Sequence, residues 1–281
     1  MDHYCNLNGK LRNSNEALIH PDNRAFRYGE GLFETIRLHQ SDMPLWNLHW
    51  QRLQESMPLV YFTFPPHFNS EFLKSEVIAL VKKNKCSEAA RVRITIFKGE
   101  GGLWETPSTA FNYLIQCWPL ENKIFTMNEN GLDIGVYTDG RKSCDAFSNL
   151  KNNSYLVYAM AVQYARHQKW NEAIVLNQHN RICDTTIANL FFVLNNTIHT
   201  PHLKEGCVNG VMRKYLLEKM NQQGMKTEEG SYSIDELLHA DEVFLTNAMY
   251  GIRWVKQFGN KTYANKLSSG LFQKLVTPLF I

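Results

Sequence analysis

DAFSNLKNNSYLVYAMAVQYARHQKWNEAIVLNQHNRICDTTIANLFFV, residues 145–193, places Lys151 at the head of a long helical pattern and Asp184 just ahead of an apolar run. Apolar residues recur at helical spacing from Lys151 to about Lys169. Ala173–Leu176 then reads as a strand, Gln178-His179-Asn180-Arg181 as a turn, and Ala188–Leu194 as a second strand. The stretch thus reads as one helix followed by two short apolar strands, with helix and strand mixed along the chain. Taken alone, a lysine at a helix start is a surface residue, and an acid after His-Asn-Arg belongs to a β-turn.

The chain has 281 residues, 44% of them hydrophobic, which is enough for two domains with cores of their own. A formal charge of +3 with no basic block gives no reason to expect nucleic acid or a membrane surface as partner. No apolar run approaches the roughly 18–20 residues of a membrane span, and the start MDHYCNLNGK does not read as a secretory signal. The six cysteines are far apart and lack a C-x-x-C pair, so they are expected to be free thiols in a reducing cytoplasm. The ten histidines show no metal-ligand spacing.

Upstream, Tyr4–Leu7 and a return strand flank the turn Asn8-Gly9. In RAFRYGEGLFETIRL, residues 24–38, Gly29 and Gly31 make a bend before a strand over Leu32–Leu38. Gly-Glu-Gly by itself is a corner between strands as readily as a phosphate loop. Asn47–Leu59 predicts a helix, and its pattern alone puts Arg52 on a solvated face. A second helix is predicted over Phe68–Lys83. Ala90–Lys98 alternates strictly and sets Arg91, Arg93 and Thr95 on one face, either a half-solvated strand or an anion site. FNYLIQCW is a further strand, and the polar run Pro119–Gly131 reads as a linker between domains.

Past the opening stretch, Thr197–Thr200 follows the turn Asn195-Asn196. A helix from about Gly210 to Gln222 presents free N–H groups and a partial positive charge at its start, a plausible seat for an anion, although a helix preceded by glycine need bind nothing. Ile234–Ala240 has Ser233 as N-cap, DEVFLTNAMYGIRWV gives a strand and the turn Thr246-Asn247, and the chain closes with a helix over Asn265–Phe280.

Seven collinear pieces resemble the class IV aminotransferases, the fold-type IV PLP (pyridoxal 5'-phosphate) enzymes: NRAFRYGEGLFETIR, HWQRLQES, ARVRITIFKGEGG, LKNNSYL, NEAIVLNQHNRICDTTIANLFFV, TPHLKEGCVNGVMR and ADEVFLTNAMYGIRWV. The resemblance implies a small N-terminal α/β domain (residues 1–118), a linker (119–131) and a larger PLP-binding α/β domain (132–281), with the cofactor in the cleft between them. It implies Lys151 as the Schiff-base lysine, Arg52 as the partner of the cofactor phosphate, and the N–H groups of Val211 and Met212 as a phosphate cradle. Asn247 and Ala248 match a second phosphate-contacting turn. Asp184 stands where the family usually has glutamate, facing the ring nitrogen, and is one methylene shorter. Tyr28, Arg93 and Lys98 match substrate-binding positions, and the partners implied are a small amino-acid-like substrate and a second copy of the chain, a homodimer. WNLHWQRL fits an interface or a core equally well.

Within the family, Leu156 replaces the tyrosine that branched-chain enzymes carry, while V-N-G-V-M-R, T-N-A-M-Y-G-I and K-G-E-G-G resemble the 4-amino-4-deoxychorismate lyases. The reaction implied is elimination of pyruvate to give 4-aminobenzoate, a folate precursor. Alternatives are a branched-chain or D-amino acid aminotransferase and a non-catalytic PLP-binding member.

Overall fold

The computed structural model describes residues 3–16, 18–105, 110–121 and 126–280. They form two compact units. The first takes the described residues of Met1–Ile124 together with Lys151–Ser154, and the second those of Phe125–Leu150 and Tyr155–Ile281.

The first unit runs β1 (Tyr4–Leu7), β2 (Lys10–Asn13), α1 (Arg24–Tyr28), β3 (Gly31–His39), α2 (Trp46–Ser56), α3 (Ser70–Lys83), β4 (Ala89–Phe97) and β5 (Asn112–Pro119). Its strands form an antiparallel sheet in the order β2-β1-β5-β4-β3. α3 starts where the Asn69 side chain accepts from Phe72 N–H at 2.8 Å and ends on Lys82 and Lys83, which suit the negative helix end. Its Leu73, Val77, Leu80 and Val81 fall on one stripe and are buried, each worth about 2 kcal/mol of apolar transfer. The stretch WNLHWQRL lies on α2, which packs on β3. Trp46 and Leu53 are buried, and Trp50 meets Phe64 edge-on, ring centroids 5.7 Å apart.

The two glycines of Gly-Glu-Gly have separate jobs. Gly29 ends α1 in the left-handed region, φ 71°. Gly31 is needed for close approach: a Cβ there would meet Asn153 Nδ2 at 2.3 Å and the Ile96 carbonyl oxygen at 2.7 Å. That space is taken by Lys151–Ser154, which lies against β3. Phe33 N–H donates to the Lys151 carbonyl (2.8 Å) and Asn153 N–H to that of Gly31 (2.9 Å). The helical reading of Lys151 is corrected here: α4 begins only at Leu156, because Lys151 and its neighbours spend their backbone bonds on a strand. Gly31→Ala should push this segment off β3 and cost about 1–3 kcal/mol by overpacking. A urea midpoint unchanged in that variant would refute the close approach.

The second unit runs β6 (Leu132–Lys142), α4 (Leu156–His167), β7 (Glu172–Asn177), β8 (Ile182–Thr185), β9 (Asn189–Leu194), β10 (Thr197–Pro201), α5 (Val211–Gln222), β11 (Thr227–Gly230), α6 (Ile234–His239), β12 (Glu242–Asn247), β13 (Gly251–Phe258), β14 (Lys261–Thr262) and α7 (Lys266–Leu271). The sheet order is β11-β10-β9-β12-β13-β6-β7-β8, with β14 on β13. β8 ends that order, yet only Thr186-Ile187-Ala188 separate it from β9, and Thr185 N–H reaches the Ala188 carbonyl at 2.8 Å. So short a link spans at most about 3.5 Å per residue, so the sheet curls round on itself. α4 covers β6 and β7 with Tyr158, Ala161 and Ala165, the two alanines letting the helix sit close. The terminal helix is also shorter than the sequence predicts: α7 stops at Leu271, and a π turn over Phe272–Val276 and a 3₁₀ turn containing Pro278 follow.

Candidate active site

Alternation along β3 splits its side chains between two environments. Glu34 points toward α2 and is buried. Arg52 donates to it from Nε at 2.8 Å and also from Nη2, and His49 Nδ1 lies 2.7 Å from Oε2. A carboxylate only accepts, so the His49 proton sits on Nδ1. Burial would raise Glu34, but the Arg52 charge and the hydrogen bond from His49 outweigh it and hold the acid at about 2. Burial pushes His49 below its usual range, and the cations Arg52 and Lys151 add to that. Arg52 is 8% exposed, not on the solvated face that helical pattern alone suggests.

The other face of β3 carries Phe33, Thr35 and Arg37, opposite Thr95, Arg93 and Arg91 of β4. Lys151 Nζ lies 4.4 Å from the Phe33 ring centroid and Arg93 Cζ 3.9 Å from it. Amine and guanidinium are therefore within about 8 Å of each other. Lys98 is not brought to this face. It falls on the opposite side of β4, and its Nζ donates to the Tyr61 carbonyl at 2.9 Å. Tyr28 closes α1, and the guanidinium carbons of Arg24 and Arg27 lie 5.3 and 5.2 Å from its ring centroid.

In the second unit Asp184 lies within β8, not in the preceding turn, and is 2% exposed. Asn189 Nδ2 donates to its Oδ1 (2.8 Å). Tyr158 O–H (2.6 Å) and Val208 N–H (2.9 Å) donate to Oδ2. Burial and the Asp184 charge push the Tyr158 phenol well above its usual range, so it is a neutral donor. Tyr155, just ahead of α4, stacks on Tyr158 with centroids 4.5 Å apart, while Leu156 is exposed.

Asn189 also donates to the Val208 carbonyl at 2.8 Å, and its Oδ1 fills the space where a Cβ on Gly210 would come, 1.8 Å away. Only glycine fits at the head of α5, whose first N–H groups, on Val211 and Met212, have no side-chain cap. The cross-strand partner of Asn189 is Thr246, 1% exposed, whose Oγ1 has no hydrogen-bond partner. Next to it the Asn247 side chain accepts from Met249 and Tyr250 N–H (2.9 and 3.2 Å), shaping the turn that presents Ala248. Sequence reasoning names Asp184, Val211, Met212, Asn247 and Ala248 in this group. It misses Tyr158, which reaches Asp184 from α4, and Asn189 and Thr246, which are brought together by the pairing of β9 with β12.

The profile of the amino-transferase class IV family matches residues 31–258. The chain belongs to that family and is a PLP-dependent enzyme. It is 27% identical over 231 residues to an aminodeoxychorismate lyase of Vibrio harveyi, covering 82% of this chain and 83% of that one. A Bacillus subtilis aminodeoxychorismate lyase is 26% identical over 251 residues, 88% of this chain and 83% of the other. The solved branched-chain amino acid aminotransferase from Escherichia coli superposes with a TM-score of 0.87 at 23% identity, over 100% of this chain and 95% of that one, a likeness of fold.

The second unit fits such a cofactor. A buried hydroxyl without a partner and an uncapped helix start are what a phosphate needs, and a fixed buried carboxylate is what a protonated ring nitrogen needs. No described helix is long and apolar enough to cross a membrane.

Proposed function

We propose that the chain is a 4-amino-4-deoxychorismate lyase, which eliminates pyruvate from its substrate and leaves 4-aminobenzoate. The observation that carries this reading is the face of β3 and β4: the Lys151 amine and Arg93 share one aromatic ring, and Arg37 and Arg91 form the next cross-strand pair. Burial lowers Arg37 only to about 10, so it stays cationic at neutral pH. Such a surplus of cations suits a substrate with two carboxylates. The sequence likeness to two lyases supports the same choice.

In this reading Arg52, the N–H groups of Val211 and Met212, and the turn at Asn247-Ala248 with the Thr246 hydroxyl hold the phosphate of PLP, while Asp184 holds the ring nitrogen. When bound, PLP supplies a sink for the electrons left when the carbon bearing the amine loses its proton. Lys151 Nζ removes that proton. Arg93, with its neighbours, holds the enolpyruvyl carboxylate and so fixes the leaving group. The carbon–oxygen bond to the enol breaks, the ring becomes aromatic, and the enol takes up a proton as pyruvate. Thr35, cross-strand partner of Arg93, places its hydroxyl on the same face and is the proton donor proposed for the leaving oxygen. Tyr28 lines the substrate side.

The test is direct. Purified protein with PLP and aminodeoxychorismate should release pyruvate and 4-aminobenzoate in equal amounts. Parallel reactions of leucine or D-alanine with 2-oxoglutarate should give little glutamate. Glutamate without lyase products would overturn the assignment in favour of an aminotransferase, and absence of the Schiff-base band after PLP addition would overturn the enzymatic reading.

A further inference from the structure

Lys142 has no place in the reaction just described, yet its ammonium is buried. It is the last residue of β6, where the pairing with β7 breaks after Tyr137 and resumes opposite Asn177. Irregularities of this kind re-aim side chains. The Lys142 side chain is 12% exposed, and its Nζ is buried with no hydrogen-bond partner. The nearest opposite charge is Asp184 Oδ2 at 3.5 Å, and the Tyr158 ring centroid lies 5.1 Å away.

Asp184 is otherwise surrounded by neutral groups. Tyr158 on α4 keeps its proton, as above. Burial pushes the thiols of Cys183, whose Sγ is 4.0 Å from Oδ2, and Cys207 upward, the latter to about 12. Asn189 and the Val208 N–H contribute dipoles without net charge. Among the described residues Lys142 is the one cation paired with Asp184. Tyr158, Asn189 and Val208 already fix the carboxylate's orientation, so the ammonium adds charge and little geometry.

We propose that Lys142 is a positioning residue acting through Asp184: its ammonium partly neutralises the carboxylate, so that the ring nitrogen of bound PLP holds its proton less firmly than beside a lone acid. The proposal rests on Asp184 being the ring-nitrogen partner. It makes the electron sink weaker than in a site with an unopposed acid. An elimination that ends in an aromatic ring tolerates this, because aromatisation supplies driving force of its own.

To test it, wild type, Lys142→Met and Lys142→Arg are loaded with PLP carrying an isotopically labelled ring nitrogen, and its magnetic-resonance shift is followed against pH. Lys142→Met should raise the midpoint of that titration by about one to two pH units, as for removal of a unit charge a few ångströms away. Lys142→Arg should keep the wild-type midpoint. Equal midpoints in wild type and Lys142→Met, or an arginine variant that behaves like methionine, overturn the proposal. Cofactor-free protein provides a second arm, in which the urea midpoints of Lys142→Met, Asp184→Asn and the double variant are compared. A smaller loss in the double variant than the single losses add up to is expected, and strict additivity overturns the pairing. If wild type takes up no PLP, the reading of Asp184 falls and the proposal with it, a result distinct from equal midpoints.

Discussion

Lys151→Ala should lose the visible absorbance of the bound cofactor, the band that borohydride would otherwise bleach, and turnover should fall by at least about 10³-fold. One positioned acid–base group accounts for about 10²–10⁴ of rate, and here the same amine also serves as the nucleophile. The fold should survive, because the bond that holds this segment on β3 runs from Phe33 N–H to the residue 151 carbonyl, which alanine keeps. Lys151→Arg separates the two roles. It retains a cation over Phe33 but offers no nucleophilic amine, so it should fail like alanine. A variant at this position that keeps both the band and the pyruvate release would remove Lys151 from the mechanism.

The second large effect is expected at Glu34. Glu34→Gln leaves Arg52 buried without its counter-charge, and breaking a buried pair in this way costs about 3–5 kcal/mol. The same acid gives the protein a specific pH dependence. Its folded value, about 2, lies below the ordinary 4.5. The stabilisation is therefore fully present above pH 4.5 and is lost as pH falls toward 2. Its size is on the order of 3 kcal/mol. Wild-type urea midpoints should drop across that window, whereas Glu34→Gln should show a flatter profile from a lower start. Parallel profiles would mean that the carboxylate does not carry the charge assigned to it.

Strands and helices with apolar periodicity were legible in the sequence: the Tyr4–Leu7 hairpin, the long strand after Gly31, the helix ending at Lys83 and the capped helix after Ser233 all form within a residue or two of expectation. What was not legible depends on partners distant in the chain. β11 (Thr-Glu-Glu-Gly) has no alternation, and it is a strand only because β10 offers it a parallel edge. α1 is short and is held by the Asn23 side chain, so it escapes a search for period. The amphipathic pattern runs back to Lys151 and extends the helix to it, while β3 captures its backbone instead.

The site divides along the same line. The lysine, the acid and the start of α5 could be named from motifs. The burial of Arg52 by Glu34 and His49, the orphan hydroxyl of Thr246 and the ammonium of Lys142 beside Asp184 arise from strand register and burial. None of these leaves a local mark in the sequence.

The lysine-bearing segment also bears on how such a protein can be inherited. The chain leaves the second unit after Leu150, lends Lys151–Ser154 to the first, and returns at Tyr155. No single cut in the gene therefore yields two whole units. A fragment ending at residue 124 would lack the stretch that lies along Leu32 and Phe33, and the remaining fragment would carry it without its seat. A chimaera that exchanges the first unit between relatives should exchange Lys151–Ser154 with it, so that the lysine keeps its seat on a sheet far upstream of its own position.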